Sequence, residues 1–271
     1  MAHGLTLIWL GYAGIGAVSG LLAGTFGIGG GFIVIPALLF VFGLQGVAPE
    51  VAMHLAVGTS LASIVVSGSV SALAHHRNGN VLPDRLRQLL PGLVCGAVGG
   101  VFIASSLSGG ALRAGFGSFL ILLSLHNLTG WPRLAGGRAP STAASIAAGG
   151  VIGGTSALFG IGCGTLTIPW LRRCGEPIKQ AIGTASACGV PSALVGSLTF
   201  IVTGWNQPDL PPGATGYVMW PALLGIILAS IPFSKLGAQV THAAPARALN
   251  VVFSCLMLLV GANMLLREVL A

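Results

Sequence analysis

The sequence predicts an all-α polytopic membrane protein. It has two inverted-topology repeats, each a broken re-entrant helical hairpin followed by three transmembrane helices. Three observations predict this: a composition too apolar for water, apolar runs of membrane-span length, and a glycine-rich motif that recurs in the second half of the chain.

Of the 271 residues, 54% are hydrophobic and only 6% are charged, and the mean hydropathy is +0.92. Soluble domains carry about 25% charged residues. Twelve basic and five acidic side chains cannot cover a 27.1 kDa globule in water, so most of the outside must meet lipid. Ordinary soluble enzymes, disordered chains and disulfide scaffolds are thereby excluded. The net charge of +7 is spread singly or in pairs through short loops, without interleaved aromatics, so no nucleic-acid partner is expected. Cys95, Cys163, Cys174, Cys188 and Cys255 lie in or beside apolar stretches without metal-ligand spacing. They read as small packing residues, and neither a metal nor a cofactor is expected. Residues 5–24 lack a basic leader and read as the start of the fold.

A span needs roughly 20 apolar residues. Full-length candidates are 51–75, 86–107, 110–130, 177–203, 217–235 and 246–267. Two further stretches, 5–44 and 141–172, are apolar but interrupted by glycine clusters, and each reads as two helical arms around a break. These runs are too long and too unalternating for barrel strands, which leaves helices as the only spanning structure.

Threading the spans places Arg77, Arg85, Arg87, Arg133, Arg138, Arg172, Arg173, Lys179, Lys235 and Arg247 on one side and Arg113 and Arg267 on the other. The positive-inside rule makes the first side the cytoplasm. Loop 204–216 and both termini then lie outside. Trp131, Trp205 and Trp220 fall near span ends, as interface anchors do.

Residues 25–36 read TFGIGGGFIVIP and residues 158–169 read LFGIGCGTLTIP, with seven of twelve positions identical at an offset of 133. Downstream, Ala56, Gly58 and Thr59 match Ala181, Gly183 and Thr184 at an offset of 125. The first copy enters its broken segment from outside and the second from the cytoplasm. A returning segment plus three full spans makes an odd number of crossings, so the second copy is inverted. The expected division is 1–131 for the first repeat, 132–140 for a cytoplasmic linker and 141–271 for the second repeat. Inverted repeats are typical of secondary transporters, with the site near the midplane where broken helices meet. After Gly164 the chain reaches Arg172 in eight residues, roughly 12 Å of helix. That cannot cross a core of about 30 Å, so the Gly160–Gly164 break, and by symmetry Gly27–Gly31, is expected near the membrane centre.

The duplicated FGIGGG-x4-P and FGIGCG-x4-P motifs, each followed by an A-x-G-T helix, resemble the sulfite exporter TauE/SafE family over essentially the whole chain. The resemblance implies movement of sulfite, sulfoacetate or other organosulfur anions across a bacterial inner membrane. Cys163, where the first copy has Gly30, departs from strict equivalence of the two tips.

Gly27, Gly29, Gly30, Gly31, Gly160, Gly162 and Gly164 would let an anion approach backbone N–H groups, and the following half-helices would point their positive ends at it. The competing reading is helix packing through small residues. Pro36 and Pro169 in the second arms free a carbonyl or kink the helix. Thr59, Ser60, Thr184 and Ser186 could donate to sulfonate oxygens or bond back to the preceding turn. His54 and Lys179 hold equivalent positions five residues before the threonines and would draw anions to the two mouths. Lys179 also serves as a snorkelling topology residue. Glu50, Asp84, Glu176, Asp209 and Glu268 all fall at segment ends, so no buried carboxylate relay is expected. Proton coupling, if used, falls to His54 or His126, whereas His75 and His76 read as part of a cytoplasmic loop.

The functional expectation is a secondary transporter for small anions; the alternative is an anion-conducting channel, or a permease for another anion such as thiosulfate or sulfate. A membrane enzyme would need a nucleophile with a base, or metal ligands, at membrane depth, and no such cluster is spaced in the chain. Expected partners are a small anionic substrate, the lipid bilayer and, as an option, a second copy in a homodimer.

Overall fold

Proline opens the long helices, where its missing N–H costs nothing because a first-turn amide has no intrahelical acceptor. In the computed structural model, which describes residues 2–26, 31–129, 140–243 and 246–269, Pro49 starts α3 (Pro49–Arg77) and Pro83 starts α4 (Pro83–Ser106). Pro177 caps α8 (Ile178–Thr203). Ser141 caps α6 (Thr142–Phe159) by accepting from the Ala144 N–H at 3.2 Å. The remaining helices are α1 (Ala2–Phe26), α2 (Gly31–Leu44), α5 (Gly109–Thr129), α7 (Gly164–Arg173), α9 (Trp220–Ala243) and α10 (Ala246–Val269).

The apolar runs became helices, most with ends close to those expected, although α9 runs on to Ala243 rather than stopping at 235, and the fold is that of a helical, polytopic membrane protein. Five helices among the described residues are long and apolar enough to cross a membrane, at Pro49–Arg77, Pro83–Ser106, Gly109–Leu128, Thr142–Phe159 and Ile178–Thr203. In α3, 72% of the apolar window is enclosed by protein, against 28% to 44% in the other four, which makes α3 the central helix. Leu10, Leu44, Val151, Val202, Leu228 and Leu259 face outward, as a lipid-facing surface requires.

Two expectations need correction. His75 and His76 lie in the last turn of α3 rather than in a loop, because the helix runs on to Arg77, where basic groups suit its negative end. The segment read as the start of a span at 217 is instead a two-residue antiparallel ladder, β1 (Ala214–Thr215) with β2 (Val218–Met219), and α9 begins at Trp220. Gly213 (φ 87°) and Gly216 (φ 52°) supply the left-handed turns that fold this hairpin inward.

Lipid offers no hydrophobic drive between helices, so close backbone approach through small residues holds the bundle together. α1 packs along α9, α4 along α6, α5 along α10, and α3 crosses α8 at the centre. A methyl group on Gly16 would run into the Ile226 carbonyl and one on Gly20 into that of Ser230. On the other seam, Gly149 meets the Leu89 carbonyl and Gly153 that of Leu93 in the same way. α3 and α8 run antiparallel: Ser71, late in α3, donates to Ser186, early in α8, at 3.3 Å.

Arg77, Arg172 and Arg173 end their helices on what is here termed the basic face, where Arg85 pairs with Glu176 at 2.8 Å. On the opposite face Arg113 of α5 pairs with Glu268 of α10 at 3.5 Å. Arg133, Arg138, Trp131 and most of the 132–140 linker lie outside the described residues, as do the side chains of Lys235, Arg247 and Arg267.

Candidate functional site

The break between α6 and α7 is a built turn. Gly160 takes the left-handed conformation (φ 61°, ψ 25°) that ends α6, a conformation side chains disfavour. The Ile161 N–H donates to the Ser156 carbonyl at 3.1 Å, and the Ser156 hydroxyl donates to the Ile161 carbonyl. Cys163 is buried and its thiol donates to the Ser156 oxygen at 3.4 Å. Thr165 donates to the Gly162 carbonyl at 3.3 Å. α7 has ten residues, about 15 Å of helix, and ends at the exposed Arg172 and Arg173.

Gly27, Gly29 and Gly30 lie outside the described residues, but Gly31 opens α2 directly against the other break. A methyl group on Gly31 would sit 2.6 Å from the Gly160 carbonyl oxygen, 3.1 Å from Ile161 Cα and 3.2 Å from Ser60 Oγ. Ser60 is fully buried in α3 and donates to the Gly160 carbonyl at 2.8 Å. The start of α2, the middle of α3 and the α6–α7 break thus converge on one point. That point lies beside the first residue of α2 and the Gly160–Ile161 turn that leads into α7.

The two threonines are each engaged by a loop from the other half of the chain. Thr59 is buried and its hydroxyl oxygen accepts from the Met219 N–H at 2.9 Å. Thr184 is buried and accepts from the Leu82 N–H at 2.9 Å. Each is preceded by a glycine, Gly58 or Gly183, at which a methyl group would run into the Tyr217 or Asn80 carbonyl respectively. A hydroxyl that accepts still carries a hydrogen it can donate. Ser186 bonds back to the Ile182 carbonyl at 3.1 Å.

The two basic mouth residues differ. His54 is buried, stacks on Tyr217 with ring centroids 5.0 Å apart, and places Nε2 2.9 Å from the Ala104 carbonyl. Because a carbonyl only accepts, Nε2 carries the hydrogen; Nδ1 is buried without a hydrogen-bond partner. Lys179 is exposed in the first turn of α8. Near it, Leu82, Pro83, Asp84, Arg85 and Glu176 line a cleft of about 340 Å³ on the basic face. At its edge, burial pushes the Cys174 thiol above its ordinary value, while nearby Arg85 pulls the other way.

Residues 12–264 match the family model described as sulfite exporter TauE/SafE. The chain belongs to that family. A Haemophilus influenzae relative named "Probable membrane transporter protein" is 35% identical over 255 residues, covering 93% of this chain and 96% of its own. Relatives named "Probable membrane transporter protein MJ0441" in Methanocaldococcus jannaschii (28% identical, 93% of each chain covered) and "Probable membrane transporter protein YunE" in Bacillus subtilis (23% identical, 93% of this chain and 95% of its own) are also similar to this TauE/SafE chain. No solved structure matches. These relatives are named as membrane transporters, not as enzymes, and the described residues hold no group of three or more His, Cys, Asp or Glu that could bind a metal.

Sequence reasoning did not single out Tyr217, Met219, Asn80 or Leu82 for this TauE/SafE chain. The available signal was the glycine before each threonine, which marks a close backbone approach.

Proposed function

We propose that the chain is a secondary transporter of small anions, with sulfite or an organosulfonate such as sulfoacetate as substrate, working by alternating access in a bacterial inner membrane. The observation that carries this reading is the convergence of Gly31, Ser60 and Gly160 where α2 begins and where the chain turns from α6 toward α7. An anion there would be held by backbone N–H groups, with Ser60, Gly162 and Gly164 beside it and no formal counter-charge. A helix terminus gives an anion about 0.3–1 kcal/mol when exposed and up to about 2 when partly buried. Each hydrogen bond to a charged group adds about 1.5–3 kcal/mol before desolvation. Such a site binds moderately, as a carrier that must release its cargo requires.

Constant offsets support two inverted halves. Gly16 and Gly149 are 133 residues apart (149 − 16), and their partners Ile226 and Leu89 are 137 apart (226 − 89). Thr59 and Thr184 are 125 apart (184 − 59), and their partners Met219 and Leu82 are again 137 apart (219 − 82). The equivalent helices α3 and α8 run antiparallel, as inversion of one half demands.

Counterflow in proteoliposomes tests the function. Preloaded sulfoacetate should drive uptake of labelled sulfoacetate or sulfite against its gradient, with no unitary currents in planar bilayers. Channel currents without counterflow would favour the conducting alternative. Sidedness follows from the basic residues: an impermeant thiol reagent should label Asp209→Cys from outside intact cells and leave Asn78→Cys protected. The reverse pattern would overturn the orientation.

A further inference from the structure

We propose that the two A-x-G-T helices carry reciprocal gate latches. On this assignment Thr59 holds the outer mouth shut through Met219, and Thr184 holds the cytoplasmic mouth shut through Leu82. The inference rests on the alternating-access reading above and assigns to these threonines a task other than contact with the substrate.

The grip is the same on both sides. A glycine on the long helix admits a loop carbonyl, Gly58 for Tyr217 and Gly183 for Asn80. The next residue, a threonine, accepts from the loop N–H two positions further on, at 2.9 Å in each case. The loop always comes from the opposite half: α3 is held to the segment after α8, and α8 to the segment after α3. A movement that separates the halves at either mouth must therefore break that mouth's latch. Because α3 and α8 cross antiparallel at the centre, opening at one end presses the other end together.

Different locks surround the two latches. At the outer one Tyr217 stacks on His54, meets Phe200 edge-on with centroids 6.0 Å apart, and donates its N–H to the Phe200 carbonyl at 3.2 Å. At the cytoplasmic one, three residues after Leu82, Arg85 pairs with Glu176 at 2.8 Å.

Valine has threonine's shape but accepts nothing, so Thr59→Val leaves the Met219 amide buried without a partner and Thr184→Val does the same to Leu82. Hydrogen–deuterium exchange of the full-length protein in lipid nanodiscs, without added anion, reads the result. Thr59→Val should speed amide exchange in 216–219 by at least about tenfold and slow it in 78–82; Thr184→Val should do the reverse. Thr59→Ser and Thr184→Ser keep the acceptor and should match the wild type. Alanine at either position cannot clash, so it carries the valine expectation should a valine variant not purify. Exchange unchanged at both loops, faster at both, or changed only at the loop that lost its acceptor would each overturn the gate assignment. Because no anion is present, a failed latch accompanied by normal sulfoacetate counterflow sinks the gates alone. Opposite-signed exchange without counterflow of any anion sinks the substrate reading and leaves the latches standing.

Discussion

Gly31→Val should abolish anion binding, with a loss of at least about a hundredfold in affinity, while the protein still inserts and purifies as a folded species. Even a methyl group at this position would lie 2.6 Å from the Gly160 carbonyl oxygen and 3.2 Å from Ser60 Oγ, so the larger isopropyl group must force the start of α2 away from the α6–α7 break. The backbone groups proposed to hold the anion then no longer share one ligand. A loss of two charge-assisted hydrogen bonds, each worth about 1.5–3 kcal/mol, is sufficient for that factor. Titration calorimetry with sulfoacetate measures it, and near-wild-type affinity would reduce Gly31 to a packing residue. Ser60→Ala, which removes only the hydroxyl that holds the Gly160 carbonyl at 2.8 Å, should cost less, about tenfold.

Gly153→Leu should produce the largest loss of stability. Gly153 faces the Leu93 backbone across the α4–α6 seam, and Gly149, one turn earlier, faces Leu89. A leucine there clashes with backbone rather than with a movable side chain, so the two helices must separate along their length. Overpacking typically costs about 1–3 kcal/mol and more where backbone blocks relief. The expected result is a lower thermal midpoint in detergent, or no folded protein at all. Gly99→Leu on α4 is the control: nothing lies within 4 Å of a methyl group there, so its midpoint should stay close to that of the wild type.

The elements most legible in the sequence were those set by lipid. Apolar length fixes a span, and proline or glycine marks its ends, so α3, α4, α5 and α8 fall within a few residues of their expected limits. The second break was also legible, because ten residues between Gly164 and Arg173 cannot cross a membrane. What the residues could not disclose was pairing at long range. Thr59 and Thr184 were read as hydroxyls free for a ligand or for the preceding turn, because their acceptor roles depend on amides 160 and 102 residues away. The inward hairpin at 214–219 was invisible for a related reason. Residues 217–219 are apolar enough to pass for the start of α9, whereas in the structure they turn back at Gly216 and dock against α3. His54 and Lys179 share the 125-residue offset of the two threonines but not their surroundings, since Tyr217 stacks on the first and the second is exposed.

The central claim is that the anion binds where Gly31, Ser60 and Gly160 meet. The most direct measurement is alkylation of Ser60→Cys in the purified protein, in a background lacking the five native cysteines, with and without sulfoacetate. The account predicts that sulfoacetate slows alkylation at position 60 in a saturable manner and leaves Ser106→Cys, at the far end of α4, unaffected. Equal rates at position 60 with and without the anion, in a preparation that catalyses sulfoacetate counterflow, would contradict it and place the substrate elsewhere.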